Sequence, residues 1–467
     1  MAPDLHWPRL AAAFSHLALP VAVVDLESTG GNLYEDRVTE VAVLRFEQGN
    51  ISRHQWLVNP QQPISDFIAK LTGIDNKMVA AAPTFAEIAA DLLPLLRGCI
   101  IVAHNSRFDY TFLSHEFQRA GMAFAAPALC TVQLSRRLYP QFYKHNLDSL
   151  IERSGLIIDH RHRAMSDVEA LCGFLEHSLG EHQEDYWLAQ CRALLQPQSL
   201  PDWLPPSFSA SLYALPDSCG VSVWTEASGK VSAVLTHERA YRETAVLLNS
   251  KNPPIYMRNA VAVRFEPAVG ILHALWLKAQ IMQQHHLRPS ESLRTFSTVK
   301  FRANEHGVLQ ARVSAMHNGR HVEKPHGFFL HKKAAKRALN DWAQSHKLCP
   351  ASLDILPSTH ARDAGCPVHS IGGCNGTCRS AEGIEQQNRL IRQYAHLLPV
   401  ADWGKAQCLE ITETEPLSGT SHTFICAGGA LALPDGSWYF DEHLPPLLKS
   451  KLKQGKESVR VLDEHIA

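Results

Sequence analysis

The 467-residue chain lacks any apolar run approaching the ~20 residues of a membrane helix, which argues against a helical membrane protein. It also lacks charge of one sign. Its 45 Lys and Arg against 46 Asp and Glu leave a net charge of -1 and a pI near 7.1. No global field therefore draws nucleic acid, and any surface that binds it must be local. The start of the chain, "MAPDLHWPRLAAAFSHLALP", has no basic leader and no clear small-residue cleavage site. The expectation is a cytoplasmic protein whose 11 cysteines are not paired as disulfides. Internal repeats and low-complexity tracts are absent as well.

Present instead is an alternation of strand-like and helix-like segments over residues 20–180. "VAVVDLE", "TEVAVLRFEQG", "ISRHQWLVNP" and "CIIVAH" read as strands. "TFAEIAADLLPLL", "SRFDYTFLSHEFQRA", "NLDSLIERSG" and "SDVEALCGFLEHSL" carry the 3.6-residue apolar period of helices. Such alternation predicts an α/β fold with a mixed sheet. A Pro-rich stretch then predicts a linker over 186–212. A further strand-and-helix segment follows, then a basic helix, a cysteine cluster and a β-rich end at 396–467.

Asp25 and Glu27 stand two apart on the first strand, so their like charges share one face. A hard divalent cation would relieve that repulsion. Asn105 or Ser106 can cap the helix that holds Asp109 in its first turn. Ser166 and Glu169 have the spacing of a capping box, which places Asp167 at another helix start, five residues after His162. Taken singly, each acid could be ordinary surface or first-turn chemistry.

Three segments, "DLESTG", "HNSRFD" and "HRAMSD", resemble in order the motifs of the DnaQ-like DEDDh 3′→5′ exonucleases, which include the proofreading epsilon subunit of bacterial replicative polymerase. The resemblance implies a ribonuclease H-like domain over 1–185. It also implies two Mg²⁺ or Mn²⁺ ions held by Asp25, Glu27, Asp109 and Asp167, and His162 as general base. Thr29, Asn105 and Phe108 would contact substrate, and core packing is an equal role for Phe108. The implied partner is DNA, as single strands or duplex 3′ ends. RNA stays open as substrate.

"LPDSCGVSVWTEASGKVSAVLTHERAYRETAVLL" resembles the start of the GIY-YIG nuclease domain of UvrC and Cho, giving a smaller α/β domain at 213–295. The residues needed by that chemistry are replaced: Ser222 and Ala233 stand where tyrosines belong, Glu243 lies near the arginine position, and Lys278 takes the glutamate position. The segment reads as a catalytically dead copy.

Residues 296–395 resemble the region that follows in UvrC and Cho, read as a helical cysteine-rich segment. Cys349, Cys366, Cys374 and Cys378 would hold a 4Fe–4S cluster or, alternatively, a structural zinc, or stand as free buried thiols. On "HKKAAKRALNDW", Lys332, Lys333, Lys336 and Arg337 form a basic face suited to DNA phosphates, or simply a solvated helix face. The combined reading is a metal-dependent 3′→5′ exonuclease in DNA repair, with contacts to repair or replication proteins. The alternatives are a proofreading subunit and a DNA-damage-binding scaffold.

Overall fold

The computed structural model describes residues 7–158, 160–287, 296–317, 321–322, 326–356, 367–377, 380–400, 404–405, 408–454 and 458–462. The chain divides into two units. The first holds residues 1–233, 237–265 and 416–418; the second holds 234–236, 266–415 and 419–467.

Helix α1 (Pro8–Ser15) opens the first unit, followed by strands β1 (Val21–Ser28), β2 (Val38–Glu47) and β3 (Asn50–Leu57). Helices α2 (Asp66–Thr72), α3 (Asn76–Val79) and α4 (Phe85–Leu96) lead to β4 (Ile100–Ala103), α5 (Arg107–Arg119) and β5 (Ala128–Cys130). Next come α6 (Thr131–Leu138), α7 (Leu147–Arg153) and α8 (Ala164–Glu181). The sheet order is β3-β2-β1-β4-β5, with β1 antiparallel to β2 and parallel to β4. The mixed α/β sheet expected from the sequence is thus present, and β1 lies at its centre.

A strand sandwiched between helical layers is apolar on both faces, and β1 follows that rule until its end. Val21 and Val23 join the cluster formed with α1, α6 and α8, while Ala22 and Val24 face α4 and α5. Alternation then carries Asp25 and Glu27 onto the α8 side, at the carboxyl end of the strand. Helix α8 packs on β1.

Residues 186–212 are not an open linker. Helix α9 (Glu184–Leu194) occupies their start and α10 (Pro206–Tyr213) their end. Between them Gln196 N–H donates to Ala128 O (2.8 Å), and Ala128 N–H donates to Pro197 O (3.2 Å). Leu195, Leu200 and Leu204 are buried. The prolines mark turns and a helix start, and the leucines between them are what fasten the segment. After it come β6 (Gly220–Glu226), β7 (Val231–His237), α11 (Ala240–Leu248), α12 (Ile255–Asn259) and β8 (Ala260–Pro267), in a sheet of order β7-β6-β8.

In the second unit the region read as helical also carries strands. Phe296–Ala303 pairs antiparallel with Leu309–Met316 along its whole length, and His326–Phe329 pairs on its other side. Lys300, Arg302 and Arg312 interrupt the apolar pattern that would have signalled these strands. Helix Lys332–Ser345 covers this sheet through Ala335, Leu339 and Trp342. Helix Ala381–Tyr394 follows. The β-rich end is observed: Cys408–Thr414 and Ser421–Ala427 pair antiparallel within a six-stranded sheet. Helix Ile271–Gln284, expected to complete the 213–295 segment, belongs to this second unit. Among the described residues, no helix is long and apolar enough to cross a membrane.

Candidate active site

Asp25 and Glu27 end β1; Asp109 lies in the first turn of α5 and Asp167 in the first turn of α8. All four converge. Burial, and then the charges of Asp109, Asp167 and Glu27, push the Asp25 carboxyl well above the ordinary carboxylate range. Glu27 is pushed up to about 8 by burial, Asp167 and Glu40. Burial likewise raises Asp109. Asp167 is raised by burial, against the pull of Arg161.

His162 has a positive φ of 61°, which turns the chain into α8 and brings its ring beside two of these acids. Ligand atoms of Glu27, His162 and Asp167 all lie within 4.8 Å of one another. Oxygen-rich, anionic and partly buried, this donor set fits a hard divalent cation such as Mg²⁺ or Mn²⁺.

The expected capping box at Ser166 and Glu169 does not form. Helix α8 begins at Ala164, and Glu169 instead pairs with Arg53 (3.2 Å). The cap comes from β2. Glu40, directly opposite Glu27 in the sheet, accepts from Ala164 N–H (2.9 Å) and from Arg163 (2.6 and 3.1 Å). Gln55 also donates to it (2.9 Å). Burial raises the Glu40 carboxyl, but these donors outweigh it and the net shift is downward.

Two further groups escaped the sequence reading. Arg161 pairs with Asp167 and with Asp148 (2.8 Å), so one cation already enters the acid cluster. His104 is pushed down to about 4 by burial and by Arg161, and its Nδ1 meets Thr131 Oγ1 at 3.1 Å. An Arg directly before the motif His162, and the His that opens "HNSRFD", were the available signals.

The remaining site candidates take varied places. Thr29 is buried; it donates to Asp36 (2.9 Å) and accepts from Arg37 N–H (3.0 Å). Gly30 is needed there, because a Cβ would meet the Asp36 carboxylate at 2.4 Å. Asn105 is exposed with a φ of 64°, and its carbonyl accepts from Phe108 N–H (2.9 Å) in the turn into α5. Phe108 packs against the core, its ring tilted against that of Phe112 (centroids 4.8 Å apart).

In the 213–295 segment Ser222 and Glu243 join a closed network with Trp224 and His237. Trp224 Nε1–H donates to Ser222 Oγ (2.8 Å), which meets His237 Nε2 at 2.7 Å. His237 Nδ1 meets Glu243 at 2.9 Å. Trp is only a donor and carboxylate only an acceptor, so the network begins at Trp224 Nε1–H and ends at Glu243. Ser222 and His237 are buried. Lys278 forms an ion pair with Asp441 (3.3 Å).

Cys349 and Cys374 are both buried, and the chain beside them is tied together by Asn375 N–H donating to Lys347 O (3.1 Å). Cys366 and Cys378 lie outside the described residues. Lys332, Lys333, Lys336 and Arg337 are all exposed, but only Lys333 and Arg337 line the groove on that helix.

Residues 22–175 match the family described as "Exonuclease", and residues 298–397 match "UvrC/Cho excinuclease, middle domain". A DNA polymerase III PolC-type from Caldanaerobacter subterraneus is 36% identical over 163 residues, which are 35% of this chain and 12% of that protein. The 3′-5′ exonuclease DinG of Bacillus subtilis is 38% identical over 150 residues, covering 32% of this chain and 16% of its own length. The chain therefore spans only a small part of these relatives. Among solved structures, Exonuclease X in complex with 5′ overhanging duplex DNA is 23% identical, covering 37% of this chain and 99% of that one, with a TM-score of 0.30. The chain thus carries an exonuclease domain, followed by a stretch that matches the UvrC/Cho middle domain.

Proposed function

We propose that the first unit hydrolyses phosphodiester bonds at DNA 3′ ends, in the 3′→5′ direction, in DNA repair. One observation carries this reading: Asp25, Glu27, Asp109 and Asp167 converge from three elements with the His162 ring beside two of them. The four carboxylates would hold two Mg²⁺ or Mn²⁺ ions. Such ions, when bound, supply an activated water and offset charge on the leaving oxygen. His162 accepts the proton that the attacking water gives up. Arg161 holds positive charge against Asp167 and Asp148. Asn105 and Phe108, in the turn leading to Asp109, shape the pocket for the terminal nucleotide. Thr29 fixes the loop after Glu27.

The test is digestion of 5′-labelled single-stranded DNA, duplex DNA and RNA by the full chain, with Mg²⁺, Mn²⁺ or chelator. A metal-dependent ladder shortening from the 3′ end is expected on DNA. No shortening under any metal overturns the reading, and RNA-only digestion overturns the substrate.

For the cysteines we propose a metal centre, 4Fe–4S or zinc, on Cys349, Cys366, Cys374 and Cys378. The buried thiols of Cys349 and Cys374, on segments tied by the Asn375–Lys347 hydrogen bond, support it. Iron and zinc analysis of anaerobically purified protein is the check. Absence of both metals rejects the centre.

A further inference from the structure

A groove of about 1090 Å³ runs along helix Lys332–Ser345 in the second unit. Its exposed and half-exposed floor is apolar: Leu330, Ala334, Ala338, Leu397 and Pro399. Leu330 is 52% exposed, a large aliphatic side chain left facing water. Lys333 and Arg337 stand one turn apart along the groove, a separation of about 5–6 Å between Cβ atoms. Among the described residues neither forms an ion pair. The next residue in that row is Asp341, so positive charge ends there. His346, stacked on Tyr394 at 4.1 Å, also lines the groove.

An apolar floor beside a short row of unneutralised cations suits a chain with flat apolar faces on one side and anionic groups at regular intervals on the other. Unpaired nucleic acid has this form, since its bases are free to leave the stack and its phosphates repeat along the backbone. A duplex keeps its base faces stacked and has nothing to offer the floor. We infer that the groove binds a short stretch of single-stranded DNA, with bases against Leu330, Ala338 and Pro399 and phosphates on Lys333 and Arg337. The site is separate from the carboxylate cluster. It rests on the reading of DNA as substrate only for the choice of DNA over another anionic chain.

The experiment uses the full chain carrying Asp25→Ala and a fluorescent dT16 probe, with anisotropy read over a salt series. Lys333→Glu/Arg337→Glu is expected to weaken binding at least about tenfold and to flatten the salt dependence. Leu330→Glu, which places a carboxylate on the floor, should weaken it several-fold. The comparison pair is Arg389→Glu/Arg392→Glu, two exposed cations outside the groove with the same charge change. It should leave affinity within about twofold. Equal losses from both pairs, or no loss from the groove pair, overturn the proposal. So does a duplex competitor that displaces dT16 as well as a single strand does, or an acidic helical peptide that binds the groove in preference to dT16. Digestion of dT16 by the chain with Asp25 intact is scored separately, so failure of the groove and failure of the exonuclease reading are told apart.

Discussion

The carboxylate cluster and the Ser222–His237–Glu243 network are both built from polar residues on a sheet, yet they treat charge in opposite ways. In the network every donor meets an acceptor. Burial raises the Glu243 carboxyl, but His237 and the Arg239 and Glu238 N–H groups outweigh it and bring it down. In the cluster, four acids are held together and all are shifted upward. Repulsion that Arg161 offsets only in part is a cost that a fold does not keep without a use. Complete pairing is the mark of a region whose polar residues serve the structure.

The largest blow to this contrast would come from Asp25→Ala or Asp167→Ala. Each is expected to abolish metal-dependent release of 3′ nucleotides, read by gel or mass spectrometry. Retained hydrolysis in both would remove the cluster from the chemistry. Next in size is His162→Ala, expected to slow release by about 10²–10⁴-fold while titration calorimetry still detects Mn²⁺ binding. Loss of both together would make His162 a ligand instead of a base.

Ser222→Ala or His237→Ala should leave 3′ hydrolysis unchanged and lower stability by about 1–3 kcal/mol, because each orphans a buried partner. Thermal unfolding of the full chain reads this. Endonucleolytic nicking of a circular plasmid by the Asp25→Ala chain, lost on His237→Ala, would show instead that the network is alive.

The last effect concerns pH. A carboxyl raised in the folded state binds its proton more tightly there than in the unfolded chain. Its contribution is therefore favourable at low pH and is lost as pH rises from the ordinary carboxylate value toward the folded one. For Glu27 that window runs from about 4.5 to about 8. In chelator, Tm should fall across this window, and Glu27→Gln should flatten the fall. Mg²⁺ or Mn²⁺ should restore Tm at the alkaline end. A Tm that is level from pH 5 to 8 in chelator would mean that the cluster's repulsion is relieved by other means.

The sequence displayed the cluster well because motif spacing survives without three-dimensional knowledge. D-x-E on a strand and first-turn aspartates on two helices are local patterns, and the sheet merely brings them together. What escaped was non-local. Glu40 reads as one more strand acid, and its role depends on Ala164, distant along the chain. Arg161 needs the turn at His162 to reach Asp167. The leucines of 195–204 were hidden by the prolines around them, since turn residues advertise themselves and edge packing does not. The strands at 296–316 were masked by charges on their solvent side. The basic helix was legible as basic, but only the groove separates Lys333 and Arg337 from Lys332 and Lys336.

Glu40 has one more consequence, for the order of assembly. Helix α8 carries Asp167 but supplies no side-chain cap of its own; its first free amide is satisfied by a carboxylate on β2. The helix start is therefore complete only once the sheet has formed around it. The same strand pairing that seats Glu40 against Ala164 sets Glu27 beside it in register. Completion of the α8 start and the placement of Glu27 thus depend on one and the same strand pairing.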